Sequence, residues 1–303
     1  MLYAGIVFRQ LITMMIYICI GFILCRKKLL SESGTKAFVN LLLYIILPCA
    51  IVSSFWRESD REQTAQMLLS FAVSAGLVAI SVVLSHLFFK TRPISNFSAA
   101  FCNVGFMGVP LISMTLGADS VFYIAGIVAI MNIMQWVYGQ RLLSGTGTPL
   151  RVRDLLLTPC TLALLIGLAV YFSPVKPPAL IKDCISAIAG CNSPIAMIIL
   201  GSYLCKVPLR SIFTTGSAYL TSAVRLIVIP LVSLLFLALV PNCPAEMKMA
   251  LLIAACTPVG SNVAVYAQKL DLDYSGSVVL ICQSTILCVV TMPAVILLSS
   301  LFF

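Results

Sequence analysis

Two short segments of this sequence combine glycine, proline and asparagine in an order that suits the binding of an anion. The first reads NVGFMGVP at 103–110, and the second reads TPVGSN at 257–262. Glycine weakens a helix and proline cannot donate a backbone hydrogen bond, so each segment should interrupt a helix that contains it. A helix that restarts after an interruption presents free N–H groups and a partial positive charge at its N-terminus, where carboxylates and other anions bind.

The prolines predict where the two breaks fall. Val109 is the predicted break point of the first segment, because the residue before a proline avoids the α conformation, and Pro110 would begin the next half-helix. In the second segment the helix should break around Pro258, and Ser261 or Asn262 would cap the half-helix that follows.

Broken backbone within a bilayer is unfavourable by several kcal/mol for each unpaired group. We therefore expect the two breaks to be buried against each other near the middle of the membrane, where two half-helix N-termini would converge. The alternative is that glycine and proline only kink these helices for packing. Matching interruptions in two halves of the chain, each with an asparagine, favour a substrate site instead. Its predicted contacts are Asn103, Gly105, Pro110, Pro258, Ser261 and Asn262.

The elements that position these segments must be membrane helices, because the chain is too apolar to cover a water-exposed surface. Of its 303 residues 61% are hydrophobic and only 10% are charged, whereas soluble domains carry roughly 25% charged residues. The mean hydropathy is +1.09. A spanning helix needs about 20 largely apolar residues. We predict ten spans, at 3–25, 36–55, 65–89, 94–117, 119–140, 155–173, 179–205, 211–240, 246–269 and 274–302, with the first retained rather than cleaved as a signal peptide.

The charged residues between the spans predict their orientation. Cytoplasmic loops of membrane proteins carry an excess of lysine and arginine. Placing the N-terminus outside puts the larger number of these residues in cytoplasmic loops. We therefore predict a multi-pass cell-membrane protein with both termini extracytoplasmic and with 144–154 as a cytoplasmic loop. Basic residues scattered over short loops do not favour nucleic-acid binding. The acidic residues fall at span ends, so no buried carboxylate relay for protons is indicated.

The central loop divides the ten predicted spans into five and five. Two halves with an odd number of spans can fold alike only in opposite orientations, which is the inverted-repeat plan of many secondary transporters. The second span of each half carries a proline, at Pro48 and Pro194, and the fourth span of each half carries one of the two interruptions. We predict an all-α integral membrane fold in which 1–143 and 155–303 are inverted repeats joined by the linker 144–154.

Arg225 is the one strongly basic residue deep in a predicted span, and three roles are open for it. It could contact a substrate carboxylate, hydrogen-bond the carbonyls of a broken helix, or extend to the membrane interface. Asn132 and Gln135 lie three residues apart, and so on one face of the fifth span. Asn40 could face the substrate from the second span. Asn132 and Gln135 could equally form only hydrogen bonds between helices.

Gln283 and Thr285 in the tenth span are candidate ligands for a coupling ion. A sodium site made of amides, hydroxyls and carbonyls is one alternative, and uniport driven by the membrane potential is another, worth about 2.3 kcal/mol per charge for each 100 mV. No cofactor or metal is predicted. The twelve cysteines are irregularly spaced, and the single histidine has no second ligand nearby in the sequence.

The segment at 103–110 resembles the fourth-span motif of the auxin efflux carrier family, which includes the plant PIN proteins and bacterial malonate and malate permeases. The Leu47-Pro48 pair, the stretch from Arg225 to Pro230, and the segment at 257–262 with AVYAQK at 264–269 are similar as well, so the resemblance covers the whole chain. The long central cytoplasmic loop of the plant members is absent, and the phospho-regulation that it carries is not expected here.

The resemblance implies a fold like that of bile-acid transporters and sodium–proton antiporters, with crossed broken helices 4 and 9. Spans 1, 2, 6 and 7 would form a scaffold that dimerises in the lipid bilayer, and spans 3–5 and 8–10 would form a moving transport domain. The expected function is secondary transport of small organic anions by an elevator-type movement. A membrane channel and a non-transport membrane enzyme are the alternatives, and an ATP-driven pump is disfavoured because no phosphate-binding glycine loop is present.

Overall fold

The computed structural model describes residues 2–57, 59–145, 158–173 and 177–303, and these residues form helices and turns with one isolated bridge between two single residues. Seven of the helices are long and apolar enough to cross a membrane. The prediction of an all-helical membrane protein is therefore confirmed. The helices are α1 Leu2–Arg26, α2 Glu32–Ser54, α3 Arg61–Phe89, α4 Pro93–Ala100, α5 Val104–Leu116, α6 Ala118–Ser144, α7 Pro159–Phe172, α8 Ala179–Leu204, α9 Leu209–Thr214, α10 Gly216–Leu239, α11 Ala245–Ala255, α12 Asn262–Lys269 and α13 Tyr274–Ser299.

The described helices pack against one another along extended contacts. Helix α1 packs against α8 and α13, and α2 packs against α7 and α8. Helix α3 packs against α6 and α10, and α13 also packs against α10 and α12. The closest approach is that of α1 and α8, where a Cβ atom added at Gly21 would overlap the carbonyl oxygen of Ile198. Most of the predicted linker 144–154 lies outside the described residues.

Four of the described helices contain a widened π turn, and three of these turns lie shortly before a proline. The turns are Leu42–Ile46, Val104–Gly108, Gln135–Gly139 and Val224–Val228, and Pro48, Pro110 and Pro230 each follow one by two residues. In an ordinary helix a proline collides with the carbonyl four residues earlier. A π turn widens the backbone at that point, and such turns recur at functional sites.

The predicted break at Val109 is wrong for this reason. Val109 has helical dihedral angles, and its N–H bonds to the carbonyl of Val104 five residues earlier. Pro110 thus lies inside α5 rather than at its start. The helix breaks seven residues before the expected place, between the end of α4 at Ala100 and the start of α5 at Val104. The second break lies where it was predicted, between the end of α11 and Asn262, although the Ser261 side chain makes no capping hydrogen bond.

Candidate functional site

The two breaks cross each other and pair through their backbones. The N–H of Asn103 donates to the carbonyl oxygen of Pro258 at 2.8 Å, and the N–H of Gly260 donates to the carbonyl oxygen of Phe101 at 2.9 Å. Cys102 and Val259 face each other as an antiparallel bridge. Each break therefore supplies the hydrogen bonds that the other has lost, as a non-helical backbone at membrane depth requires.

Gly260 allows this close approach of the two chains. A Cβ atom at this position would lie 3.0 Å from the carbonyl oxygen of Phe101 and 3.1 Å from that of Cys102. The N–H of Val259 donates to the Ser284 hydroxyl at 3.1 Å. Because Ser284 belongs to α13, a third helix adds a hydrogen bond to the crossing.

Arg225 lies where α4 and α11 end. Its side chain is fully buried, and the guanidinium donates to the carbonyl oxygen of Ala99 at 3.2 Å and to that of Ala255. These carbonyls are in the last turns of the two half-helices, which carry partial negative charge. Of the three roles considered for Arg225, the geometry matches hydrogen bonding to broken-helix carbonyls. Extension to the interface is inconsistent with full burial, and Arg225 is absent from the described lining of the cavity between the breaks.

That cavity lies beside the crossing and has a volume of about 50 Å³. The first turns of α5 and α12 both form part of its wall, so two helix N-termini meet there. Side chains of α2, α6 and α7 close it. Among the predicted contacts, the structure brings Asn103, Gly105, Asn132, Gln135, Ser261 and Asn262 together in its lining.

The amide groups of the cavity are only partly hydrogen-bonded to one another. The Nδ2 atom of Asn262 donates to Oε1 of Gln135 at 2.6 Å, linking α12 to α6. Asn103 is 4% exposed, and its Nδ2 atom has no hydrogen-bond partner. A buried donor without a partner is unfavourable by about 1–3 kcal/mol. A ligand with an acceptor oxygen would relieve that cost.

The described lining of this cavity contains no charged side chain. The lining itself therefore acts on an anion through dipoles, chiefly those of the two helix N-termini, each equivalent to about half a positive charge. Leu43, Leu47 and Phe106 supply apolar surface next to the amides. The arrangement can hold a small anion by N–H groups and side-chain amides while contacting a short hydrocarbon portion.

Several predicted contacts lie elsewhere. Asn40 is exposed and lines a separate cavity with Lys36 and Lys206. Pro110 lines another cavity, farther along α5. Pro258 contributes its carbonyl oxygen to the crossing and not a side chain to the described lining.

The candidate ion ligands Gln283 and Thr285 do not reach the crossing cavity. Gln283 accepts a hydrogen bond from the Ser222 hydroxyl at 3.0 Å and donates to the carbonyl of Ile212 at 2.7 Å. The Thr285 hydroxyl donates to the carbonyl of Ile281, one helical turn earlier, at 2.7 Å. In this structure the two side chains have separate hydrogen-bond partners and are not directed to a common ligand.

Ser284, which sequence reasoning passed over, is the residue of α13 that contacts the crossing. The available signal was its place between Gln283 and Thr285, which are candidate ion ligands by sequence. On a helix, however, neighbouring residues point in different directions. Without the position of α11, nothing in the sequence distinguishes Ser284 from Gln283 and Thr285.

The chain is similar to known membrane transport proteins over most of its length. The sequence profile of a family described as membrane transport protein matches residues 6–296. The chain is also similar to a protein of Rhizobium meliloti (strain 1021) named "Putative malonate transporter". The two are 24% identical over 275 residues, which cover 86% of this chain and 85% of the relative.

Proposed function

This chain belongs to the membrane transport protein family, the family of the auxin efflux carriers, and from that premise we propose that it is a secondary transporter of small organic anions. One observation carries the proposal. Two broken helices present their N-termini, with Asn103 and Asn262, to a single cavity whose described lining has no charged side chain. Such a cavity favours an anion without holding it as tightly as a paired arginine would, and a carrier must release what it binds.

Malonate and similar short acids are the proposed substrates. The relative from Rhizobium meliloti carries malonate in its name, which supports a dicarboxylate. A cavity of about 50 Å³ suits a short molecule, and its volume would have to grow for an indole acid. Monocarboxylates and auxin-like acids are the next class to compare.

The proposed architecture has ten spans in two inverted repeats, 1–143 and 155–303. The pair α4 and α5 would form span 4, and the pair α11 and α12 would form span 9. Helix packing supports this plan, because α1 packs against α8 in the way that α7 packs against α2. In this plan α1 and α7 are the first spans of the two halves, and α8 and α2 are the second spans. Each half therefore packs its first span against the second span of the other half, as a repeat related by symmetry would.

We further propose that spans 1, 2, 6 and 7 form a scaffold that dimerises, and that the other six spans move past it. The position of the cavity supports this division. Leu47 of α2 and Cys160 of α7 line the cavity from proposed scaffold helices, and Asn103, just before α5, and Gln135 of α6 line it from the proposed moving helices. A substrate held at such a boundary can change sides when one group of helices slides against the other.

The proposed location is the cell membrane, with both termini outside and lipid around the apolar helices. The driving force is either a coupled cation, sodium or proton, or the membrane potential acting on the charge of the substrate. The described cavity lining offers amides, hydroxyls and carbonyls to a cation and no carboxylate. Uptake measured with and without a sodium gradient, a proton gradient and an imposed potential separates these cases.

Uptake of labelled malonate into proteoliposomes tests the function directly. A carrier exchanges substrate, so vesicles preloaded with unlabelled malonate should take up label faster than empty vesicles. A channel would show no such acceleration, and an enzyme would consume the acid without moving it. Failure of the wild-type protein to move any small carboxylate would overturn the proposal.

A further inference from the structure

A second cavity, of about 190 Å³, lies farther along α5 than the crossing cavity. It is lined by the end of α2, the later part of α5 and the middle of α8, and it includes Pro110. Ser113 in its wall and Asn103 in the crossing cavity are ten residues apart, which corresponds to about 15 Å along a helix. On the proposed topology this second cavity is on the outer side of the crossing.

The wall contributed by α8 contains two buried polar side chains without partners. Asn192 is 2% exposed, and neither Nδ2 nor Oδ1 has a hydrogen-bond partner. Ser193 is 7% exposed, and its hydroxyl also has no partner. An amide and a hydroxyl left unsatisfied side by side are unfavourable in a stable protein. A polar occupant of the adjacent cavity would satisfy both groups.

The hydrogen-bond donors of the wall suit a carboxylate. Asn192 and Ser193 together offer N–H and O–H donors, and a carboxylate accepts hydrogen bonds at both oxygens. Ser53 and Ser113 add hydroxyl groups from α2 and α5, and the described wall contains no charged side chain. Like the crossing cavity, this wall suits weak and reversible binding of a small anion.

We propose that Asn192 and Ser193 form an outer binding station, at which the transported carboxylate is held before it enters the crossing cavity or after it leaves. This inference rests on the proposed function, because it assigns a second place on the path of the same substrate. Water is the competing occupant: it would satisfy the same groups without any effect on substrate affinity. The station would lie at the boundary between the scaffold helices α2 and α8 and the moving helix α5.

Transport measured from each face of the membrane tests the station. Right-side-out and inside-out membrane vesicles that contain the wild type, Asn192→Leu or Ser193→Ala would be assayed for malonate uptake over a range of concentrations. Ser233→Ala is the matched control, because Ser233 is likewise buried without a hydrogen-bond partner but belongs to none of the described cavities. Ser193→Ala removes a single oxygen and keeps the test valid if Asn192→Leu does not fold.

The expected change in KM is confined to transport from the outer face. Loss of one hydrogen bond should raise KM for uptake from the outer face about tenfold and leave KM from the inner face unchanged. Unchanged KM on both faces, in variants that fold, would mean that the cavity holds only water and would overturn the inference. Equal changes on both faces, or the same change in Ser233→Ala, would show a structural role and overturn it as well. Absence of wild-type uptake would overturn the proposed function and this inference with it, whereas in the two preceding cases the proposed function stands.

Discussion

The backbone N–H of Asn103 donates a 2.8 Å hydrogen bond to the carbonyl oxygen of Pro258, which lies in the other half of the chain. The residue that offers an unpaired amide to the cavity is thus fixed by the main chain of the opposite break. Because this contact uses backbone atoms on both sides, a change of the Asn103 side chain should leave the crossing intact. Side-chain substitutions here can therefore separate binding from folding.

Asn103→Ala should abolish or strongly reduce malonate uptake without loss of thermal stability. Its Nδ2 atom has no partner in the protein, so the substitution removes no internal hydrogen bond from that atom. We expect a fall of at least about tenfold in kcat/KM, the value of one hydrogen bond of about 1.4 kcal/mol. Asn40→Ala is the control, since Asn40 is exposed and lines a different cavity, and its uptake should match wild type. Equal uptake by Asn103→Ala and wild type, at equal protein levels, would contradict the assignment.

Asn262→Ala should reduce both transport and stability. It breaks the 2.6 Å hydrogen bond to Gln135 and leaves that amide oxygen without its donor. A partly buried amide pair of this kind is worth about 1 kcal/mol, so the melting temperature should fall modestly while uptake falls as in Asn103→Ala. Gln135→Ala should reproduce the stability loss, and the double variant should lose less than the sum, since one bond is removed by either change. A strictly additive stability loss would argue against the bond.

Neutral analogues should not compete with malonate. Helix N-termini attract negative charge, which a neutral amide lacks. The described cavity lining also has no carboxylate to accept hydrogen bonds from the NH2 groups of an amide. Malonamide should therefore leave uptake of labelled malonate unaffected at concentrations where unlabelled malonate blocks it fully. Malonamate, with one carboxylate, should fall between the two. Inhibition by malonamide as strong as that by malonate would show that charge does not direct recognition.

Arg225→Met should destabilise the protein. The substitution preserves much of the side-chain volume but leaves the carbonyls of Ala99 and Ala255 without their donor. Two buried acceptors left unpaired cost about 1–3 kcal/mol each, so the thermal transition in detergent should shift down by several degrees or the protein should fail to accumulate. Arg210→Ala, which removes an exposed arginine, is the matched control and should melt like wild type. Similar melting of the two variants would refute this role for Arg225.

Gly21→Ala should weaken the packing of α1 on α8. The added methyl group would meet the backbone carbonyl of Ile198, which cannot move aside as a flexible side chain could. Overpacking of this kind destabilises by about 1–3 kcal/mol. Gly5→Ala lies on the same helix with no other atom within 4 Å and should be neutral. Melting temperatures of the two variants give the comparison, and equal values would mean that the helices are not in close contact.

The sequence was sufficient for the membrane class and for which segments would break, because both depend on composition and local backbone chemistry. It failed at Val109, since the rule for residues before proline assumes an ordinary α-helix and the π turn at Val104–Gly108 removes that conflict. Three such turns are each followed by a proline two residues later, so Pro48, Pro110 and Pro230 mark a widening of the helix rather than an interruption.

The roles of individual polar residues were harder to predict than the breaks. Asn132 and Gln135 were placed on one face by their spacing and do line the crossing cavity. Asn40 and Gln283 also carry side-chain amides, but Asn40 lines a separate cavity and Gln283 bonds to the carbonyl of Ile212. The difference lies in which helix is adjacent, and that depends on contacts between residues far apart in the sequence. Local pattern contains no information about such contacts.

The pairing of the two breaks also bears on how the chain is made. Asn103 and Pro258 are separated by more than half of the sequence. During synthesis the first break must therefore exist for some time before its partner has left the ribosome, with its N–H and carbonyl groups unpaired. Exposure of those groups to lipid is strongly disfavoured. The nascent α4–α5 segment should accordingly remain in the aqueous insertion machinery or at the membrane surface, and enter the bilayer only when α11 and α12 arrive.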